Sequence, residues 1–132
     1  MPLKKVFLHS LLAGVLAGVA AAVYNYAYCR AMLVDYSKFL ALPALLGSSI
    51  FGCVLAGLGY YLLYRKWGPK ADLPFNAIFL LLSFVAFMGP LTAHLPLEVA
   101  SPELFPGATI PMHLFPALFW LALKPLFAEK AN

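Results

Sequence analysis

The stretch VFLHSLLAGVLAGVAAAVYNYAY, residues 6–28, runs for twenty-three positions without one Asp, Glu, Lys or Arg. A helix needs about 20 mostly apolar residues to cross a bilayer, so this stretch predicts a spanning helix, and the rest of the chain repeats its pattern. Three further apolar runs follow at about 39–64, 74–95 and 110–127, each bounded by charge or proline. The chain is 64% hydrophobic and only 11% charged, against roughly 25% charged residues in a soluble domain. A water-soluble fold of 132 residues could not hide that much apolar surface. The expected fold is therefore all-α: a polytopic, four-transmembrane-helix antiparallel bundle filling residues 1–132 as one transmembrane domain. Its connections are too short for a second domain.

Orientation follows from the cations flanking the runs. Lys4, Lys5, Arg65, Lys66, Lys70, Lys124 and Lys130 fall on one side, and only Arg30 and Lys38 on the other. Seven against two places both termini in the cytoplasm, with loops 30–40 and 95–109 outside. The net charge of +4 is then a matter of topology and of attraction to anionic headgroups, with no nucleic acid implied. Tyr60, Tyr61, Tyr64 and Trp67 at the inner end of the second run, and Tyr24, Tyr26, Tyr28 and Tyr36 around the first outer loop, suit aromatic belts at the two interfaces. Lys4, Lys5, the apolar run and Ala20-Ala21-Ala22 also fit the three regions of a secretory signal peptide. The run is long for such a peptide, which favours the spanning helix.

Lipid tails are as apolar as Leu, so membrane helices associate through close packing of small residues and a few hydrogen bonds. At 100° per residue, Ser10, Gly14, Gly18, Ala21, Asn25 and Tyr28 share one stripe of the first helix. Ser49, Gly52, Cys53, Ala56, Gly57 and Tyr60 recur at spacings of three and four in the second. Gly14, Gly18, Ala21, Gly52, Ala56 and Gly57 are accordingly predicted as packing residues, with the two faces meeting inside one chain. Pro90 lies well inside the third helix and predicts a kink, because it lacks an N–H and its ring collides with the preceding turn. Pro111 suits a first turn, whereas Pro116 lies deeper and bends the fourth helix or delays its start.

Polar groups inside a membrane are the best pointers to function. Asn25, His94 and His113 lie toward the outer ends of their helices, with Glu98 and Glu103 in the outer loop. Asn76, Ser83, Phe87, Pro90 and His94 share a helical face. Together Asn25, His94, His113, Glu98 and Glu103 form a candidate outward pocket, with His94 and His113 as candidate ligands of a metal, a haem or a quinone and Met112 nearby. The competing reading is structural: imidazoles and amides near an interface hydrogen-bond carbonyls freed by proline. No cofactor is predicted as such. His9 falls on the cytoplasmic side, away from this group. Cys29 and Cys53 differ in depth by about 15 Å along their helices, too far for a disulfide. C-x-x-C, G-x-S-x-G, H-E-x-x-H and phosphate-loop patterns do not occur, so nothing names a reaction.

The layout, with a small-residue first helix ending around Asn25, a late Gly89-Pro90 and a fourth helix opening Met112-His113-Leu114, resembles a family of small four-helix bacterial integral membrane proteins. The resemblance covers most of the chain and implies a multi-pass protein of the plasma (inner) membrane; it carries no activity with it. Three function classes follow. The first is a non-enzymatic component that packs with itself as a homo-oligomer, or within a larger membrane complex. The second is a small-solute transporter or channel built by oligomerisation, against which stands the lack of Asp, Glu, Lys or Arg at mid-span. The third is the outer-leaflet haem, metal or quinone site.

Overall fold

The computed structural model describes residues 2–127; Lys130, one of the seven inner cations, lies outside them. All regular structure among the described residues is helical: α1 Leu3–Met32, α2 Leu42–Trp67, α3 Asp72–Val85, α4 Met88–Thr92, α5 Phe105–Thr109 and α6 Phe115–Phe127. Three helical stretches are long and apolar enough to cross a membrane, Leu3–Met32, Leu42–Thr92 and Pro102–Phe127. The middle stretch contains a reversal. Gly68 takes φ 57°, ψ −143°, a conformation open to glycine alone without strain. A 3₁₀ turn over Gly68–Ala71 then leads into α3, which runs back along α2: the Tyr60 and Phe75 rings meet at 5.1 Å, and Tyr60 donates a 2.7 Å hydrogen bond to Asp72. Asp72 in the first turn of α3 also suits the positive end of the helix dipole.

Small residues decide how α1 packs. Its buried face is Val6, His9, Ser10, Ala13, Gly14, Ala17, Gly18 and Ala21, a stripe that follows the i, i+3/i+4 rule. A Cβ at Gly14 would stand 2.6 Å from the Ile50 Cα, and one at Gly18 would stand 2.9 Å from the Leu46 Cα, so the backbones of α1 and α2 approach as only glycine permits. Gly57 faces Ser10 and, at 3.5 Å, Trp120. Gly52 behaves otherwise: a Cβ there meets nothing within 4 Å. The buried residues of α2 run through Leu45, Ser49, Cys53, Gly57 and Tyr60, and Gly52 lies off that line, on the side of α2 turned to α3. Ala56 packs on the inner cluster formed by Val6, Tyr60, Phe75 and Trp120. A second cluster, Ala21, Leu45 and Met112, fills the outer half.

Proline sets the remaining boundaries. The third helix, expected over 74–95, begins at Asp72, breaks after Val85 and ends at Thr92. Pro90 cannot donate to the Ala86 carbonyl, which instead accepts the Gly89 N–H at 3.2 Å. That tighter bond is the kink. The fourth helix, expected from Ile110, starts only at Phe115, and the expected outer loop 95–109 is partly helical. Pro102, Pro106 and Pro111 each occupy the first turn of a short helix, where the missing N–H costs nothing. The chain from 102 to 127 is therefore a series of turns restarted by proline.

The exterior is apolar on every long helix. Leu8, Val23, Phe51, Leu58, Ile78, Leu81 and Leu118 are each more than half exposed, a surface suited to lipid and far beyond what a soluble monomer presents.

Candidate functional site

The five residues of the expected outward pocket are not brought together. Asn25 is half-buried and accepts a 3.5 Å contact from the Cys29 thiol of its own helix. His94 falls beyond α4, after Ala93 turns extended, and is exposed, as are Glu98 and Glu103. His113 is half-buried in the 3₁₀ turn before α6 and bonds the Thr109 carbonyl through Nδ1 at 2.9 Å. No hydrogen bond or ion pair joins any two of the five among the described residues, and no group of three or more His, Cys, Asp or Glu among them could hold a metal. The helix expected to carry His94 breaks after Val85, in the turn ahead of Pro90, and ends at Thr92, where Ala93 turns extended.

The outer tyrosines do more than form a belt. Tyr24 donates to the Gly107 carbonyl at 2.8 Å, Tyr28 to Leu104 at 2.8 Å and Tyr36 to Ser101 at 2.6 Å. Tyr36 is wholly buried, while Tyr26, at 63% exposure, keeps an outward position beside Arg30. Three phenols thus tie the segment 101–107 to α1 and its following loop. In that loop the Asp35 carboxylate accepts the Ser37 N–H at 2.8 Å. This bond, helped by the Ser37 side chain, holds the Asp35 carboxyl below its ordinary range.

At the opposite end of the bundle the polar residues that do cluster are ones the sequence placed apart. His9, 1% exposed, bonds the Trp120 carbonyl through Nε2 at 2.9 Å and lies between the Trp120 ring at 4.2 Å and the Phe127 ring at 4.9 Å. Ser10 beside it donates to Val6. Lys124 pairs with Asp72 at 2.9 Å and sits 5.0 Å over the Tyr60 ring, so Tyr60, Asp72 and Lys124 join α2, α3 and α6. His9, Tyr60 and Lys124 thus hold helices together, whereas the Ser10 bond stays within α1. The Ser10 and Gly57 spacing within the two small stripes was the available signal; His9 to Trp120 spans 111 positions and left none.

One cavity has the character of a site. It lies among α2, α3 and the start of α6, holds about 480 Å³, and is lined by apolar residues with two polar side chains, Ser83 and His113. That volume is within the range of small-molecule sites. Ser83 is 6% exposed and donates to the Phe79 carbonyl at 2.9 Å. Comparison of the chain with protein-family models, curated proteins and solved structures finds no match. The chemistry of the cavity therefore has to be read from its own residues.

Proposed function

We propose that the chain is a four-crossing protein of the plasma (inner) membrane, both termini cytoplasmic, acting as a non-enzymatic component that packs with itself or with larger membrane partners. The observation that carries this reading is the division of labour among its residues. Most of its polar side chains within the bundle bond nearby carbonyls or pair with one another, Asn76 Oδ1 and Trp120 Nε1 being the exceptions among the described residues, while Leu8, Val23, Phe51 and Leu58 leave the outer surface apolar. The reversal at Gly68 supports two crossings within residues 42–92, and the seven-to-two cation count supports the orientation.

Purification of the full chain in mild detergent tests the reading. A homo-oligomer, or a stoichiometric membrane partner, is the expected result. A monodisperse monomer with no partner, also in native lipid particles, contradicts it.

A further inference from the structure

We infer that the cavity among α2, α3 and the start of α6 binds a neutral lipid through a hydroxyl group, its one proton shared between two acceptors, Ser83 and His113. The inference does not depend on the oligomeric reading above, since the cavity is complete within one chain.

Charge speaks first. No Lys or Arg lines the cavity, so no permanent cation there would compensate a phosphate or a carboxylate, which cannot shed water in a low-dielectric site without a partner. Depth agrees. Ser83 lies eleven residues along α3 from Asp72, about 16 Å at 1.5 Å per residue, and so close to the middle of a hydrocarbon layer about 30 Å thick. A charged headgroup does not reach that depth, whereas a single hydroxyl does when it finds an acceptor.

The hydrogen-bond inventory then sets the ligand's polarity. A carbonyl oxygen can only accept, so the His113 Nδ1 facing the Thr109 carbonyl at 2.9 Å carries a proton, and in the tautomer this bond selects Nε2 is the acceptor. The Ser83 hydroxyl has given its only proton to the Phe79 carbonyl at 2.9 Å and keeps lone pairs alone. Two acceptors and no side-chain donor select an occupant that donates. A long-chain alcohol or a quinol fits; a ketone, an ether or a quinone of the same shape does not. From Ser83 to Phe75 the groove continues for about 12 Å between Ala56, Gly59 and Leu63 on one wall and Phe75 and Phe79 on the other, room for an apolar tail. Exposed Leu55, Ile78 and Leu82 at its lips let the ligand enter sideways from the bilayer.

The test uses the full chain in phosphatidylcholine nanodiscs, photolabelled by a hexadecanol carrying a mid-chain diazirine, with hexadecanol and its methyl ether as competitors. Labelling is expected on α2 and α3 along the groove, with the alcohol competing about fivefold to tenfold better than the ether, as one hydrogen bond to a buried acceptor implies. Ser83→Ala should lower that ratio and His113→Leu should bring it close to one. Equal competition by alcohol and ether, labelling spread over the whole lipid-facing surface, or a wild-type ratio in both variants overturns the inference. Should His113→Leu fail to fold, an unchanged ratio in Ser83→Ala does so alone.

Discussion

Gly14→Ala and Gly52→Ala make the same chemical change in two helices of one bundle, and the structure predicts opposite signs for them. At Gly14 the new methyl would lie 2.6 Å from the Ile50 Cα and 3.1 Å from the Ser49 carbonyl oxygen. Carbon atoms pack at about 3.5–4.0 Å, so α1 and α2 would have to part by about 1 Å. Both obstructing atoms are backbone, and no rotamer change relieves them. A gap of 0.5–1 Å already forfeits about a quarter to a half of each dispersion well, and this seam is the most extensive among the described residues, so the loss sits at the upper part of the overpacking range, about 2–3 kcal/mol. Alanine's better helix propensity returns up to about 1 kcal/mol, leaving Gly14→Ala destabilised by about 1–2 kcal/mol. At Gly52 the methyl meets nothing within 4 Å, so only the propensity gain of up to about 1 kcal/mol remains. Unfolding of both variants in mixed micelles by titrated SDS reads the difference directly. Equal stabilities, or a Gly14→Ala protein as stable as wild type, would refute the packing derived for α1 and α2.

Lys124→Met leaves Asp72 with the Tyr60 hydroxyl as its partner; because the Asp72 side chain is 45% exposed, the expected loss is modest, about 1 kcal/mol, and a double-mutant cycle with Asp72→Asn should return a coupling of that size, where zero coupling rejects the pair. Tyr36→Phe removes the 2.6 Å bond to Ser101 and should cost about 1 kcal/mol, with faster amide exchange confined to the outer segment 98–105; unchanged exchange there contradicts the clamp. Asp35 has a folded-state carboxyl pKa below its unfolded value, so its turn contributes at neutral pH and is lost as pH falls through the lowered value. The Ser37 amide resonance should therefore titrate with a midpoint below about 3.9, the value of free Asp, and a midpoint at or above it speaks against the Asp35–Ser37 bond.

Much of the fold was legible because the bilayer leaves few alternatives: an uncharged apolar run of twenty-three residues has to be helical, and Gly14 and Gly18 on one face have to meet a neighbour. Residue-level periodicity could not say which neighbour Gly52 meets, since α2 carries small residues on two sides, one packed on α1 and one turned to α3. The outer pocket rested on a different kind of signal. Grouping Asn25, His94 and His113 by depth assumed that the third helix runs unbroken to Leu95, whereas it breaks after Val85, ahead of Pro90, and ends at Thr92. Depth along an ideal helix carries no information once proline has broken it. The pairs His9–Trp120 and Asp72–Lys124 were hidden because cations and acids at the span ends read as topology signals, and only tertiary packing shows that Lys124 turns inward. In the cavity, Ser83 and His113 were visible as polar residues, but their bonds to Phe79 and Thr109, which leave them as acceptors, belong to the folded backbone.

The central claim, an even number of crossings between the two outer loops and a cytoplasmic turn between α2 and α3, is tested most directly by placing single cysteines at Ser37, Ala100 and Lys70 in a chain with Cys29 and Cys53 replaced. All three native side chains are exposed. A membrane-impermeant maleimide added to intact cells should label positions 37 and 100 and reach position 70 only after the membrane is opened. Labelling of position 70 from outside, or opposite results at 37 and 100, would contradict the four-crossing arrangement.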